Sequence, residues 1–108
     1  MILGPLTVPD RGSAPHVAMV SFSTVRPPLP HDAACEVQAG DHPFIRHASY
    51  AVYRDVRIER ADHVAAMVEK AVWRPHEPCS AELLARLRAG VCTSRLVSRE
   101  VKRMFDCP

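Results

Sequence analysis

The sequence lacks long apolar runs, internal repeats and low-complexity tracts. Because a membrane-spanning helix needs about 20 consecutive apolar residues, we expect no contact with a membrane. The start of the chain also shows no basic segment followed by an apolar one, the pattern that would mark a secretion signal. These absences predict a cytoplasmic protein, and in that compartment its four cysteines are expected to be reduced thiols.

Concentrated positive charge and paired metal ligands are scarce as well. The formal net charge is only +2, whereas dedicated nucleic-acid binders usually carry a denser basic stripe. His76 and Cys79 stand at metal-ligand spacing, with Cys92 and Cys107 downstream, but a structural zinc site normally takes four ligands in two close pairs. Cys35 and Cys92 lie in apolar patterns that favour burial. We therefore predict no bound metal and no cofactor.

What the chain does contain is a regular alternation of structural signals. Its 108 residues suffice for a single domain, 1–108, with a modest core. Apolar alternation predicts three strands, and apolar residues at helical spacing predict three later helices. The expected strands cover 17–25, 33–38 and 50–58, and the expected helices cover 61–72, 80–90 and 93–105. This order is typical of an α+β fold with a small antiparallel sheet, whose free edges favour a homodimer.

The ends of these elements are less regular. Residues 1–16 are rich in proline, and they either add an edge strand to the sheet or form a loosely attached arm. The apolar residues that such a strand would use are Ile2, Leu3, Leu6 and Val8. Ser80 is a favourable N-cap and Gly90 a favourable C-terminal cap for the second helix. Thr93 or Ser94 is expected to cap the last helix.

The segment GDHPFIRHASYAVY, residues 40–53, concentrates polar chemistry beside apolar anchors. Gly40 favours a tight turn because it adopts a positive φ without steric cost. Pro43 directs His42 into an extended conformation. Such a loop can display a site, or Asp41 and His42 can simply hold the turn through hydrogen bonds. Both interpretations remain open.

The apolar residues of this segment are expected to anchor it. Phe44 and Ile45 are predicted to be buried in the core, which leaves Arg46 and His47 at least partly exposed beside them. Displayed in this way, the polar groups would be supported by packing on the scaffold.

These residue types suit RNA cleavage without a metal. That reaction needs a base, an acid and positive charge for the developing phosphorane. His42 or His47 can transfer protons near neutral pH, and Arg46 can hold a phosphate through two hydrogen bonds. Tyr50 or Tyr53 can stack on a base. A structural turn beside a solvated arginine is the alternative explanation of the same residues.

The segment, preceded by AACEV, resembles a motif of a group of small bacterial proteins associated with the PemK/MazF-type toxins of toxin–antitoxin systems, and the likeness covers most of residues 17–105. The resemblance implies an SH3-like barrel, cleavage of single-stranded RNA and a cognate antitoxin protein as partner. Catalytic residues are then expected at His42, Arg46, His47 and Ser49, with Ser23 and Thr24 as alternatives to the serine. Substrate-binding residues are expected at Asp41, Tyr50, Tyr53 and Arg26.

The C-terminal third offers a function without catalysis. Its helices are locally basic, through Arg86, Arg88, Arg95, Arg99, Lys102 and Arg103. Such a surface is usually solvated, but it also suits a nucleic acid or an acidic protein. A non-enzymatic binding module of a toxin–antitoxin or phage-related system is therefore the alternative to the ribonuclease.

Overall fold

The computed structural model describes residues 1–6 and 14–108. Within these ranges the chain forms two antiparallel sheets of three strands each, followed by three helices. The predicted α+β class is confirmed. No closed SH3-like barrel forms among these residues, because the strands divide into two separate sheets.

The strands are short, and the first two and the last belong to one sheet while the three between them form the other. In chain order they are β1 (Ile2–Leu6), β2 (His16–Met19), β3 (Phe22–Thr24), β4 (Glu36–Val37), β5 (Ser49–Ala51) and β6 (Arg57–Arg60). The first sheet has the order β1-β2-β6 and the second the order β3-β5-β4, and every neighbouring pair is antiparallel.

β1 is an edge strand of the first sheet, so this alternative for the N-terminal residues is confirmed up to Leu6. Leu3 is fully buried, and the Arg88 guanidinium donates a hydrogen bond to its carbonyl. The Met1 ammonium group donates a bond of 2.6 Å to the carbonyl that follows β2. The start of the chain is therefore docked on the domain, whereas Val8 lies outside the described residues.

Two of the predicted strands are divided between the sheets. The first becomes β2 and β3, and the last becomes β5, a 3-10 helix at Tyr53–Asp55 and β6. One continuous strand is wrong here because core residues occur at both parities of the segment. Ala51 and Tyr53 are fully buried, whereas Val56 and Ile58, at positions of the other parity, pack against the core after the 3-10 helix. The 3-10 turn breaks the alternation.

Three helices occupy the rest of the described chain. They are α1 (Ala61–Glu69), α2 (Ala81–Thr93) and α3 (Arg99–Met104). Ser80 caps α2 as predicted, since its Oγ accepts a hydrogen bond of 3.1 Å from an amide of the first turn. The other two predictions are wrong: Gly90 lies inside α2, and α3 is capped by Ser98 instead of Thr93 or Ser94.

One core joins these elements. Buried apolar side chains from both sheets and from α2 form a single cluster. α2 contributes Leu83, Leu87 and Val91, each at most 2% exposed, whereas α1 and α3 have no fully buried residue. Within the described ranges, no helix is long and apolar enough to cross a membrane.

Cys92 and Cys107 form a disulfide, which contradicts the prediction of four thiols. Their Cα atoms lie 5.4 Å apart, a normal distance for such a bond. The bond joins the last turn of α2 to the residues after α3, and no local pattern in the sequence indicates that pairing. Cys35 is buried as predicted, and burial raises the pKa of its thiol.

Candidate functional site

The loop that carries the central motif is closed by its own backbone. Gly40 adopts a φ of 94°, which confirms the predicted tight turn. Its amide donates to the Ile45 carbonyl at 3.1 Å, and the Ile45 amide donates to the His42 carbonyl at 2.8 Å. These bonds fix the directions in which the following side chains point.

His42 is engaged on both ring nitrogens. It is only 4% exposed. Its Nδ1 accepts a hydrogen bond of 3.0 Å from the Phe44 amide, so Nε2 carries the proton and donates to the Glu77 carbonyl at 2.6 Å. No ring nitrogen is left to take up a proton from a substrate. His42 therefore ties the loop to the segment before α2, an arrangement that argues against its predicted catalytic role.

The loop buries one of its two apolar anchors. Ile45 is 6% exposed, as predicted, but Phe44 is 64% exposed, so the prediction that both are buried is wrong. The bonds around Ile45 direct it inwards, and the neighbouring side chain then points away from the core. The Phe44 ring instead contacts the ring of His76, with centroids 5.1 Å apart. Arg46 and His47 are exposed, as predicted.

Asp41 is also engaged within the protein. Its carboxylate accepts a hydrogen bond of 2.9 Å from the Gln38 amide and one of 3.3 Å from the Arg86 guanidinium. The backbone bond and then the arginine hold the pKa of this carboxyl below its ordinary value. Arg86 donates in addition to the Glu36 carbonyl at 2.6 Å. Asp41 therefore links the loop to α2 and β4, a structural task that competes with substrate binding.

Two further predicted site residues are buried. Ser49 is 7% exposed, and its Oγ donates to the His47 carbonyl at 2.8 Å. Tyr53 is fully buried, and its hydroxyl donates to the Leu87 carbonyl at 2.8 Å. Burial also raises the pKa of the phenol. Because both side chains are buried, this arrangement argues against the predicted catalytic role of the serine and the predicted base stacking of the tyrosine.

Of the remaining predicted residues, Arg46 and Tyr50 line two different cavities. The smaller, of about 480 Å³, is lined by His42, Pro43, Phe44, Arg46, His76 and Glu77. The larger, of about 610 Å³, is a groove between the loop 30–34, the end of β5, the 3-10 helix and the turn after α2. Tyr50 lines this groove, whereas exposed Arg26 and His47 line neither cavity.

The larger groove holds a histidine in a defined orientation. The His31 Nε2 lies 2.5 Å from a carboxylate oxygen of Glu36. The His31 ring also stacks against Tyr50, with centroids 4.9 Å apart and planes inclined by 34°. Among the described residues the Nδ1 of His31 has no hydrogen-bond partner. An imidazole held on one side by a carboxylate and free on the other can accept a proton.

Two arginines complete this groove. Arg54 and Arg95 are both exposed and line it. Arg54 lies 3.8 Å from Asp55 in an exposed pair, which leaves its guanidinium largely available to a ligand. No ion pair of Arg95 occurs in the part of the chain that the structure describes. The groove thus combines a proton carrier, an aromatic ring and two cations.

A buried hydrogen bond fixes two walls of this groove against each other. Ser94 is 1% exposed, and its Oγ donates to a carboxylate oxygen of Asp32 at 2.6 Å. The other oxygen of Asp32 accepts from the Ala34 amide at 3.0 Å. The Ser94 Oγ in turn accepts from the Leu96 amide at 3.1 Å. These bonds hold the loop 30–34 against the turn after α2.

Of the groups at this groove, His31 and Glu36 were not predicted from the sequence, and Arg95 was predicted only as part of the basic C-terminal third. His31 stands in the proline-rich stretch RPPLPHD, residues 26–32, which carries no chemical motif, and Glu36 lies in the predicted strand 33–38. A histidine and a carboxylate brought together by a loop leave no periodic signal, so only the position of His31 after Pro30 could have drawn attention to it.

Comparisons with known proteins give no relative for this chain. No protein-family model, no curated protein and no solved structure matches it. Within residues 1–6 and 14–108, no group of three or more His, Cys, Asp or Glu side chains is arranged to hold a metal ion.

Proposed function

We propose that this protein is an endoribonuclease that cleaves single-stranded RNA without a metal, with an activity like that of the PemK/MazF-type toxins. The observation that carries this proposal is His31, which lines a groove with two arginines and whose Nε2 lies 2.5 Å from the Glu36 carboxylate. Through the resemblance, the proposal includes a cognate antitoxin as partner. Cellular RNA as substrate makes the cytoplasm the proposed site of action.

The chemistry assigns a task to each group in the groove. His31 Nδ1 takes the proton of the ribose 2′-hydroxyl, and the resulting 2′-oxygen attacks the adjacent phosphorus. The Glu36 carboxylate accepts the Nε2 hydrogen and stabilises the imidazolium that forms. The bond to the 5′-oxygen breaks, and water in the open groove supplies the proton that this leaving oxygen takes. The products are a 2′,3′-cyclic phosphate and a 5′-hydroxyl end.

The cations and the aromatic ring act on the substrate itself. Arg54 and Arg95 line the groove where negative charge grows on the phosphorane, and charge-assisted hydrogen bonds strengthen as that charge develops. Tyr50 presents a half-buried ring beside His31, and such rings stack on bases of single strands. Tyr50 is thus retained as a substrate-binding residue.

A binding module without catalysis is the second candidate function. The occupied ring nitrogens of His42 and the buried hydroxyl of Ser49 favour it. Both groups stand in the motif that resembles the toxins, and neither is free to react. In that case the same groove would hold single-stranded RNA without cleaving it.

Cleavage of labelled single-stranded RNA oligonucleotides in EDTA tests the proposal. The wild-type protein should cut at least one of a set of mixed sequences and leave a cyclic phosphate. His31→Ala should reduce the rate roughly 100-fold or more, the usual contribution of a general base, and Glu36→Gln should reduce it by a smaller factor. His63→Ala, which removes an exposed histidine of α1 outside the groove, is the matched control and should leave the rate unchanged.

One outcome would contradict the assigned site, and another would contradict the ribonuclease itself. If His31→Ala cleaves as fast as the control, the groove is not the catalytic site. If all substrates remain intact but still bind, the binding module takes its place.

A further inference from the structure

The smaller cavity presents an aromatic pair to solvent. Phe44 is 64% exposed, and His76, with its ring centroid 5.1 Å away, is also exposed. Single exposed apolar residues are common on protein surfaces. Here, however, two rings lie together on the wall of a concave space of about 480 Å³, within the range of roughly 300–1,000 Å³ that small-ligand sites occupy.

The two walls of this cavity are joined by a buried hydrogen bond. Phe44 belongs to the central loop and His76 to the segment before α2, which are distant in sequence. His42, 4% exposed, connects them through its bond of 2.6 Å to the Glu77 carbonyl. The cavity is therefore held open in advance of binding, which lowers the entropic cost of capturing a ligand.

The charges of the cavity favour a ligand with an anionic group beside a planar one. Arg46 lines it and forms no ion pair with any described residue. A guanidinium binds phosphate through two parallel hydrogen bonds, and aromatic rings stack on bases of any identity. Glu77 lies on the same wall, where its carboxylate can accept hydrogen bonds from the N–H groups of a base.

From this arrangement we infer that the smaller cavity is a nucleotide subsite for single-stranded RNA. One base stacks on the Phe44–His76 pair, and its phosphate lies against Arg46. The inference rests on the proposed function for its substrate class, but it concerns binding and not cleavage. It also gives the central motif a role: the motif displays Phe44 and Arg46 from a loop that His42 holds in place.

The test is the affinity of the protein for a fluorescent 2′-O-methyl octanucleotide, which cannot be cleaved. Phe44→Ala should raise Kd roughly 5- to 150-fold, the range expected for one stacked base, whereas Phe44→Trp should retain binding. Leu29→Ala is the matched control because Leu29 is equally exposed, at 66%, on a loop outside the cavity. Arg46→Ala should weaken binding and lower the salt dependence by about one ion.

Competition with a mononucleotide shows whether the cavity binds an RNA strand or a free nucleotide, since both carry a base and a phosphate. If adenosine monophosphate competes as well as the octanucleotide, the site belongs to a free nucleotide and the RNA assignment fails. The inference is also overturned if Phe44→Ala binds like Leu29→Ala, or if the octanucleotide does not bind at all. Loss of affinity in Phe44→Ala without any RNA cleavage by the wild-type protein would support the subsite while refuting the ribonuclease.

Discussion

His42 illustrates how a residue type suited to catalysis can serve the fold instead. Both of its ring nitrogens bond to backbone groups, and its ring is almost fully buried. His42→Ala removes both bonds and leaves a small void under the loop. Since one hydrogen bond contributes about 0.5–1.5 kcal/mol, we expect the free energy of unfolding to fall by roughly 1–3 kcal/mol, measured by urea denaturation.

Arg46→Ala provides the comparison within the same loop. Arg46 is exposed and has no ion pair among the described residues, so its removal should change the free energy of unfolding by less than about 0.5 kcal/mol. An unchanged midpoint in His42→Ala would contradict the structural role and return this histidine to the list of catalytic candidates.

The loop and the start of α2 show which features of single residues a sequence can indicate and which it cannot. The turn at Gly40 and the cap at Ser80 were predictable because each depends on local backbone geometry. The exposure of Phe44 was not, because it follows from bonds that fix Ile45 inwards. The bond from His42 to Glu77 spans 35 residues, and no single-sequence pattern reports such a contact.

At the scale of the element, α2 depends on the missing side chain of Gly90. A glycine in a helix interior normally costs about 1 kcal/mol relative to alanine, so Gly90→Ala would stabilise an exposed helix. Here a methyl group at this position would lie 2.0 Å from the Tyr53 hydroxyl oxygen and 2.7 Å from its ring. Neither atom can move without disturbing the bond to Leu87.

Gly90→Ala is therefore expected to destabilise the protein by about 1–3 kcal/mol, the usual cost of overpacking a core. Thermal unfolding followed by circular dichroism measures this change. Ala89→Gly, an exposed position one residue earlier, is the control and should lose only the propensity difference of about 1 kcal/mol. A rise in the melting temperature of Gly90→Ala would show that α2 does not pack against Tyr53 as described.

α2 and the strand over 50–58 show which parts of an element can be predicted from the sequence. The helical spacing of Leu83 and Leu87 identified α2 correctly, because one face of a helix meets the core over its whole length. The prediction failed at the C-terminal end of the helix. Gly90 was predicted to follow the last turn, but it lies inside α2 and packs against Tyr53. The strand over 50–58 failed because the side facing the core changes at the 3-10 turn: Ala51 and Tyr53 are buried before or in it, whereas Val56 and Ile58 pack against the core after it, and a single period of two cannot represent that change.

At the scale of the whole molecule, the disulfide supplements a small core. Domains of this size are stable by roughly 0.05–0.15 kcal/mol per residue, and α3 has six residues, none of them fully buried. The half-buried Phe105, which directly follows α3, packs under the Arg88 guanidinium, whose carbon lies 5.0 Å from the ring centre. A covalent tie across α3 therefore contributes a large share of what holds the C-terminus on the domain.

The disulfide also bears on the cellular compartment in which the protein acts. Disulfides persist in oxidising environments and are usually reduced in the cytoplasm. If the protein acts on RNA there, Cys92 and Cys107 would be thiols, and its stability would approach that of a variant without the bond. The turn that carries Arg95 lies between these two cysteines in the sequence. Loss of the bond would therefore also destabilise one wall of the groove.

Replacing both cysteines with serine measures the contribution of the bond. The cysteines are 15 residues apart, and closing a loop of that length is worth about 3 kcal/mol in the chain-entropy treatment. We expect Cys92→Ser/Cys107→Ser to lose roughly 2–3 kcal/mol of unfolding free energy under oxidising conditions and to match the wild type once dithiothreitol is present. Cys79→Ser, which alters a half-buried free thiol, should behave as the wild type under both conditions.

Thiol titration of denatured wild-type protein tests whether the bond forms at all. It should find two thiols before reduction and four after it; four thiols in both samples would show that the bond does not form.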